Sequence, residues 1–261
     1  MRIVTLYSGS KGNSTYIEAG DAAILIDAGK SAKKLCSALS SIGVCIDDIN
    51  AIFITHEHND HVCALETLTK KHKIPIHMAS GCAAKFSSER FELLRENIVC
   101  HPPLFEVEIN GTLISSFATP HDSNMSVGYR IEFCEDGKRH AIGLATDIGY
   151  VTKDICQGLC GCEAVVLESN HDIDMLKDGP YPYDLKKRIL SRRGHLSNKD
   201  SALLCSGLAK RGTHSFILAH LSEENNTPGI ALDEFLSTVA DSTVSVAVAD
   251  PEEPTEMITQ K

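Results

Sequence analysis

The sequence predicts an α/β domain in two similar halves, and three observations predict it. Apolar runs of strand length recur along the chain, stretches with helical spacing separate them, and five of the runs end in clusters of ionisable residues. At 261 residues the chain is long for one average domain yet within reach of a single sandwich-type domain. One domain over 1–249 is expected, followed by an acidic, proline-bearing and loose tail, "DPEEPTEMITQK", over 250–261.

The first half opens with "MRIVTLY", "STYIEA" and "AAILIDAG", three strands separated by the turn signals "SGSKGN" and "GD". "SAKKLCSALSSIG" carries apolar residues at helical spacing and stops at Gly43. "INAIFIT" reads as a buried strand, its carboxyl end runs into "HEHNDH", and a helix follows in "HVCALETLTKKHK".

The rhythm recurs in the second half. "GTLISSFATPH" is a strand ending at His121, "SVGYRIEF" is another, and "HAIGLATDIG" ends at Asp147. "CEAVVLESNHD" is an apolar run ending in polar residues, and "THSFILAHLSEENNTP" ends likewise at His220. Helices are expected near 151–158, 183–192, 198–210 and 228–240, the third capped by Ser197 with Asp200, and "STVSVAVAD" is the closing strand. Strand ends on one edge of a sheet converge in space, so the polar clusters should meet.

Composition excludes several classes. No apolar stretch is long enough to span a bilayer, and "MRIVTLYSGSKGN" lacks the sections of a secretory signal, so a cytoplasmic protein without membrane contact is expected. A formal charge of −10 argues against nucleic acid binding over the whole surface, though a local patch can still bind it. "DLKKRILSRRGH" is such a patch: Lys186, Lys187, Arg188, Arg192 and Arg193 fall within eight positions, with Tyr181 and Tyr183 just before. A solvated helix face is the plainer reading of that run. Cys36, Cys45, Cys63, Cys82, Cys100, Cys134 and Cys205 stand singly among apolar neighbours, as small hydrophobes do in a reduced protein. Cys156, Cys160 and Cys162 cluster in "CQGLCGCE" without the second pair of a zinc site, and are read as thiols.

The cluster at 56–61 would be a burden of desolvated charge unless it held a cation. His56 and His58 project to one side of an extended segment, while Asp60 and His61 follow where the chain turns into a helix and aim at an adjacent point. One loop thus offers two half-sites, with further donors at His121, Asp147 and His220. A carboxylate has two oxygens, so Asp147 can serve both. Two divalent ions about 3.5–4 Å apart would bring the pKa of a water to roughly 7 and make the nucleophile from it. Imidazole and carboxylate donors without thiolate suit zinc or manganese, with iron also compatible.

"THEHNDH", with "TPHDSNMSVGY", "ATDIGY" and "AHLSEENNTP", resembles the metallo-β-lactamase superfamily. Taken with "YSGSKGNSTYIE", "LESNHD" and "GHLSN", it is similar to that superfamily's YycJ/WalJ-like branch of exonucleases over nearly the whole chain. The resemblance implies a four-layer αβ/βα sandwich, a dinuclear centre at its edge and phosphodiester hydrolysis, with nucleic acid as the expected partner, DNA ahead of RNA. Carried over by motif, one metal is held by His56, His58 and His121 and the other by Asp60, His61 and His220, with Asp147 bridging; Asp60 also counts as catalytic. Asp27 in "LIDAG" is either an orienting partner of a ligand histidine or a strand-end turn former.

His195 in "GHLSN" resembles the phosphate-contacting histidine of related nucleases. It would bind a non-bridging oxygen or protonate the leaving oxygen; otherwise it is a loop histidine before a capped helix. Asn170 and His171 are candidates for the cleft lining. "SGSKGNS" lacks P-loop spacing and is expected to be a tight hairpin near the metal rim. The leading function is a metal-dependent DNA exonuclease bound through 186–193, using a hydroxide between two metal ions. Two alternatives are a thioester or lactone hydrolase with the same centre, and a non-catalytic metal-binding regulator.

Overall fold

The computed structural model describes residues 1–86 and 88–257. One sheet comprises β1 (Arg2–Tyr7), β2 (Ser14–Ala19), β3 (Ala22–Ile26), β4 (Ala51–Phe53), β5 (Ile76–Ala79), β6 (Ile98–His101) and the late strand β14 (Thr255–Glu256). The other comprises β7 (Glu106–Ile109), β8 (Thr112–Ala118), β9 (Val127–Glu135), β10 (Lys138–Ala145), β11 (Ala164–Glu168), β12 (Ser215–Ala219) and β13 (Ser245–Val248). Their spatial orders are β14-β1-β2-β3-β4-β5-β6 and β13-β12-β11-β10-β9-β8-β7. In both, an antiparallel meander gives way to parallel steps, at β3–β4 and at β10–β11. The two halves of the sequence are therefore two sheets built on one plan.

Period-two alternation decides the layers. Along β12, Ile217 and Ala219 face the other sheet, while Phe216 and Leu218 face helices. Along β3, Ile24 and Ile26 face the opposite sheet and Leu25 faces helices. The helices are α1 (Ala32–Ser41), α2 (Asn59–Val62), α3 (Leu65–Lys71), α4 (Ser80–Ala83), α5 (Ser88–Leu94), α6 (Lys153–Leu159), α7 (Ile173–Asp178), α8 (Tyr183–Ile189), α9 (Asn198–Ala209) and α10 (Pro228–Val239). Leu35 and Leu39 of α1 with Leu65 and Leu68 of α3 cover one outer face; Ile155 and Leu159 of α6, Leu208 of α9 and Phe235 of α10 cover the other. The result is helix, sheet, sheet, helix. No helix of the described residues is long and apolar enough to cross a membrane.

Three differences from the sequence reading have local causes. The helix expected from residue 61 starts at Asn59 and breaks after Val62. There the Ala28 N–H donates to the His61 carbonyl and the Ala64 N–H donates to the Ala28 carbonyl, so the loop after β3 takes the backbone groups a continuous helix would use. The residues from 250 to 257 are docked instead of loose: Glu252 pairs with Lys30 and Lys34, β14 pairs with β1, and Met257 is buried. The closing strand is thus β14, not β13, and tail residues 258–261 lie outside the described residues. Of the singly placed cysteines only Cys82 and Cys205 are buried, whereas Cys45, Cys63, Cys100 and Cys134 are exposed; in the late cluster Cys162 is buried and takes the Arg130 guanidinium on its sulfur at 3.2 Å.

Candidate metal centre

The carboxyl ends of β3, β4, β8, β10, β11 and β12 deliver Asp27, the 56–61 loop, His121, Asp147, Glu168 and His220 to one edge of the sandwich. Two contacts between the sheets lock the opening loop: the Tyr129 hydroxyl donates to the Ile54 carbonyl at 2.6 Å, and the Val127 N–H donates to the Thr55 carbonyl at 3.1 Å. Asp27, Asp147 and His220 all adopt left-handed backbone, with φ of 64°, 56° and 58°. That conformation costs a non-glycine residue roughly 1–2 kcal/mol, and its recurrence at three strand ends marks a site whose geometry outweighs local preference.

Asp27 orders the loop. Its Oδ1 accepts from the Thr55 N–H at 2.8 Å, and its Oδ2 accepts from the Thr55 hydroxyl and from His61 Nδ1, each at 2.8 Å. With Nδ1 so engaged, His61 turns Nε2 toward Asp147 Oδ2 at 3.4 Å and Asp60 Oδ2 at 3.5 Å. The expected partner role of Asp27 is thus present in the geometry. The hairpin "SGSKGN" does stand at the rim: Asn13 reaches His61 Nε2 at 3.1 Å and Asp60 Oδ2 at 3.3 Å, Ser8 Oγ accepts from the His220 N–H, and Ser10 lines the cavity.

Two donor groups form around one carboxylate. His56, His58 and His121 bring their ligand atoms within 4.8 Å of one another, and so do Asp60, His61 and His220. Asp147 stands between them, with Oδ1 at 3.7 Å from His121 Nε2 and 3.5 Å from His220 Nε2, and Oδ2 facing His61. All seven expected ligands are therefore brought together.

The donors fit divalent cations on three counts. Asp147 Oδ2 and His220 Nε2 are buried without a hydrogen-bond partner, a costly arrangement unless something else binds them. His56 Nε2 and His58 Nδ1 lie 3.0 Å apart, two imidazole nitrogens aimed at one point. The remote nitrogens of His61, His121 and His220 are held by Asp27, the Gly194 carbonyl and Glu168, the arrangement that fixes a ligating imidazole. Charge points the same way. Burial pulls His220 down, but Asp147 and Glu168 more than offset it and carry it to about 9. Burial likewise opposes, and Asp27 and Asp147 outweigh it at, the His61 imidazole, which stands well above its usual value.

Glu168 is a further member of the site, and its one signal in the sequence is "VVLESN", which places a carboxylate on an otherwise apolar strand. It is fully buried; Oε1 accepts from His195 Nδ1 at 2.7 Å and His220 Nδ1 at 3.1 Å, and Oε2 from the Ile148 and Leu196 N–H groups at 2.6 and 3.2 Å. Burial raises its carboxyl pKa, yet His195 and His220 hold it far below the usual range. Asp122 joins the site without a signal in the sequence: its Oδ1 lies 3.2 Å from His121 Nε2, and its Oδ2 binds Arg188 at 2.6 Å.

A cavity of about 310 Å³ opens over this centre, and His195, Asn170, Arg188, Arg193 and Tyr181 line it. Of the remaining candidates, His171 is buried away from the lining, its backbone bridged to Ser197. Lys186 and Lys187 do not line the cavity, Lys186 donating to the Lys177 carbonyl. Arg192 lies over the Tyr150 ring in a neighbouring groove. The basic run is thus split: α8 and the loop after it send two of five cations inward.

The family described as "Beta-lactamase superfamily domain" matches residues 22–221. Exodeoxyribonuclease WalJ of Streptococcus pneumoniae is 34% identical over 247 residues, covering 93% of this chain and 90% of that protein. Exodeoxyribonuclease YycJ of Bacillus anthracis is 32% identical over 235 residues, with 87% and 84% covered. Among solved structures, the metallo-β-lactamase fold protein YhfI from Bacillus subtilis is similar at a TM-score of 0.69 and 16% identity over 98% of both chains. Human tRNase Z, short form, is similar at 0.64 and 16%, again over 98% of both. At these identities the structural likenesses speak to fold alone.

Proposed function

The chain belongs to the β-lactamase superfamily, and on that premise we propose that it is a metal-dependent exodeoxyribonuclease with a dinuclear centre. The observation that carries the reading is Asp147, a buried carboxylate that stands between the two donor groups, its Oδ1 facing His121 of one and His220 of the other and its Oδ2 facing His61. His56, His58 and His121 would hold one divalent cation and Asp60, His61 and His220 the other, with Asp147 shared. Zinc or manganese suits imidazole and carboxylate donors, and iron is compatible. Bound there, the cations supply Lewis-acid charge for a phosphoryl oxygen and acidify a water molecule.

The chain's own residues do the rest. Glu168 fixes His195 by its Nδ1, which leaves Nε2 for the substrate in the cavity. From there His195, when both of its ring nitrogens carry protons, donates a hydrogen bond to a non-bridging phosphate oxygen or gives its Nε2 proton to the departing oxygen. Asp60 lines the same cavity as an ionised carboxylate, since His61 outweighs burial and holds it far below its usual range; from there it would accept a hydrogen bond from the attacking water and orient it. Arg188 and Arg193 bring positive charge to an otherwise acidic protein, where phosphate contacts would dominate affinity. The relatives' names favour DNA as the polynucleotide.

Elemental analysis of protein purified without chelator, followed by turnover of end-labelled single- and double-stranded DNA and RNA with each ion, tests the proposal. The expected result is release of nucleotides from DNA ends that chelator abolishes and Asp147→Asn abolishes with loss of bound metal. Faster turnover of a thioester or lactone than of any DNA, or nuclease activity that survives Asp147→Asn, would overturn it.

A further inference from the structure

Beside the central cavity runs a second depression, of about 370 Å³, whose lining includes Pro120, Met125, Tyr150 and Arg192. The two share His121 and Arg193, so the groove begins where the metal centre ends. Its lining comes from three segments, within 118–126, at Tyr150 and at 192–193, which backbone contacts hold together. The Gly149 N–H donates to the Pro120 carbonyl at 2.7 Å, and a Cβ at Gly149 would collide with the backbone of Arg192. That contact holds the Arg192 guanidinium 4.2 Å above the centre of the exposed Tyr150 ring.

Charge sets this groove apart from the cavity. In the cavity, Arg188 is engaged by Asp122, and Arg193 is engaged by the carbonyls of His121 and Ser123. Arg192 has no carboxylate partner among the described residues, and no Asp or Glu lines the groove, in a chain of formal charge −10. A planar cation resting on an aromatic ring, without a counter-ion and next to a phosphoryl site, is a platform on which a base stacks while its phosphate meets the same positive charge.

The geometry points to this groove as a nucleotide subsite: it takes the nucleotide adjoining the one in the central cavity on a single-stranded polynucleotide, its base stacked on Arg192 and Tyr150. The inference rests on the proposed nuclease function and specifies what that function selects. The enzyme prefers a chain that continues beyond the scissile phosphate, and a mononucleotide ester, which fills the cavity alone, forgoes the groove.

The test compares kcat/KM on an oligothymidylate with kcat/KM on the p-nitrophenyl ester of thymidylate, for the metal-loaded wild type and for Arg192→Ala, Tyr150→Ala and Arg192→Lys. The ratio of oligonucleotide to ester should fall by about fivefold or more in each alanine variant, as expected for one lost base stack, and by less in Arg192→Lys, which keeps the charge and loses the plane. Arg192 is exposed, so its variants stay informative if Tyr150→Ala fails to fold. A ratio within about twofold of wild type in the Arg192 variants, or an equal loss on both substrates, overturns the subsite and leaves the nuclease reading standing. A wild type that cleaves the ester and no oligonucleotide overturns both.

Discussion

Glu168→Gln isolates the group that ties the metal centre to the substrate side. Glu168 accepts four hydrogen bonds, two from imidazoles and two from backbone N–H groups. Glutamine keeps the shape but only one acceptor oxygen. Either its amide opposes the Ile148 and Leu196 N–H groups, or it faces His195 and His220 and forces both rings to change tautomer. Two bonds to a charged acceptor are lost, at about 1.5–3 kcal/mol each. Relief of repulsion with Asp147 offsets part of that. The net expectation is about 3 kcal/mol less stability in denaturant with chelator present, which a domain of ordinary stability survives. Metal affinity should fall about 10–100-fold, as for other partners of ligating histidines. Proton competition modulates this. The His220 imidazole is carried to about 9, so below that pH a cation must displace its proton, and this ring alone raises the dissociation constant about tenfold per pH unit lost, to which the raised His61 adds. The variant loses much of that slope, which masks its weaker binding at neutral pH and exposes it near pH 9. Competition against a chromophoric chelator across this range reads both effects. Unchanged stability, together with an affinity and a pH slope equal to wild type, would refute the assignment of Glu168 as the holder of His220.

Gly29→Ala should cost the whole centre, because a Cβ there would collide with the Asp60 carbonyl and the Asn13 N–H; the expected outcome is protein with less than half the wild-type metal content by elemental analysis and a lowered melting temperature. Acid should destabilise the fold through His77, stacked between Phe53 and His101, whose imidazole is lowered to about 4 by burial and then by His101. A histidine depressed below its unfolded value near 6.5 contributes stability that is whole above 6.5 and is lost as pH falls toward 4. The contribution is about 2 kcal/mol after discounting for solvent screening, and His77→Phe should flatten the acid limb of an unfolding titration.

What the sequence revealed and what it hid divide along a physical line. Strands with a continuous apolar face, such as β3, β11 and β12, were legible because they are buried on both sides. So was α9, through the Ser197 side chain that accepts from the Asp200 N–H. β5, β6, β7 and β14 are as short as β4 and β13, but β6, β7 and β14 are half exposed and His77 interrupts β5, so none carries an apolar run to mark it; they exist because a neighbouring strand supplies their hydrogen bonds. α2 is likewise a tertiary product, set by the Ala28 and Asn13 backbone groups that bind His61 and Asp60.

The same line runs through the site. The seven candidate ligands were legible because histidines and carboxylates crowded at strand ends have few other uses. Their supports were not, because a supporting group looks ordinary until its partner arrives from elsewhere in the chain. Asn13 lies 48 positions from His61, and Glu168 lies 52 from His220. The basic run fails in the opposite sense. Its five cations share eight positions, but the turn after α8 sends Arg193 toward His121 and Arg192 over Tyr150, so neighbours in sequence face different spaces. A charge run therefore identifies the side from which a polyanion approaches, while the distribution of its cations between cavity and groove is settled only by the glycine-tight contact of residue 149 with the 192–193 backbone.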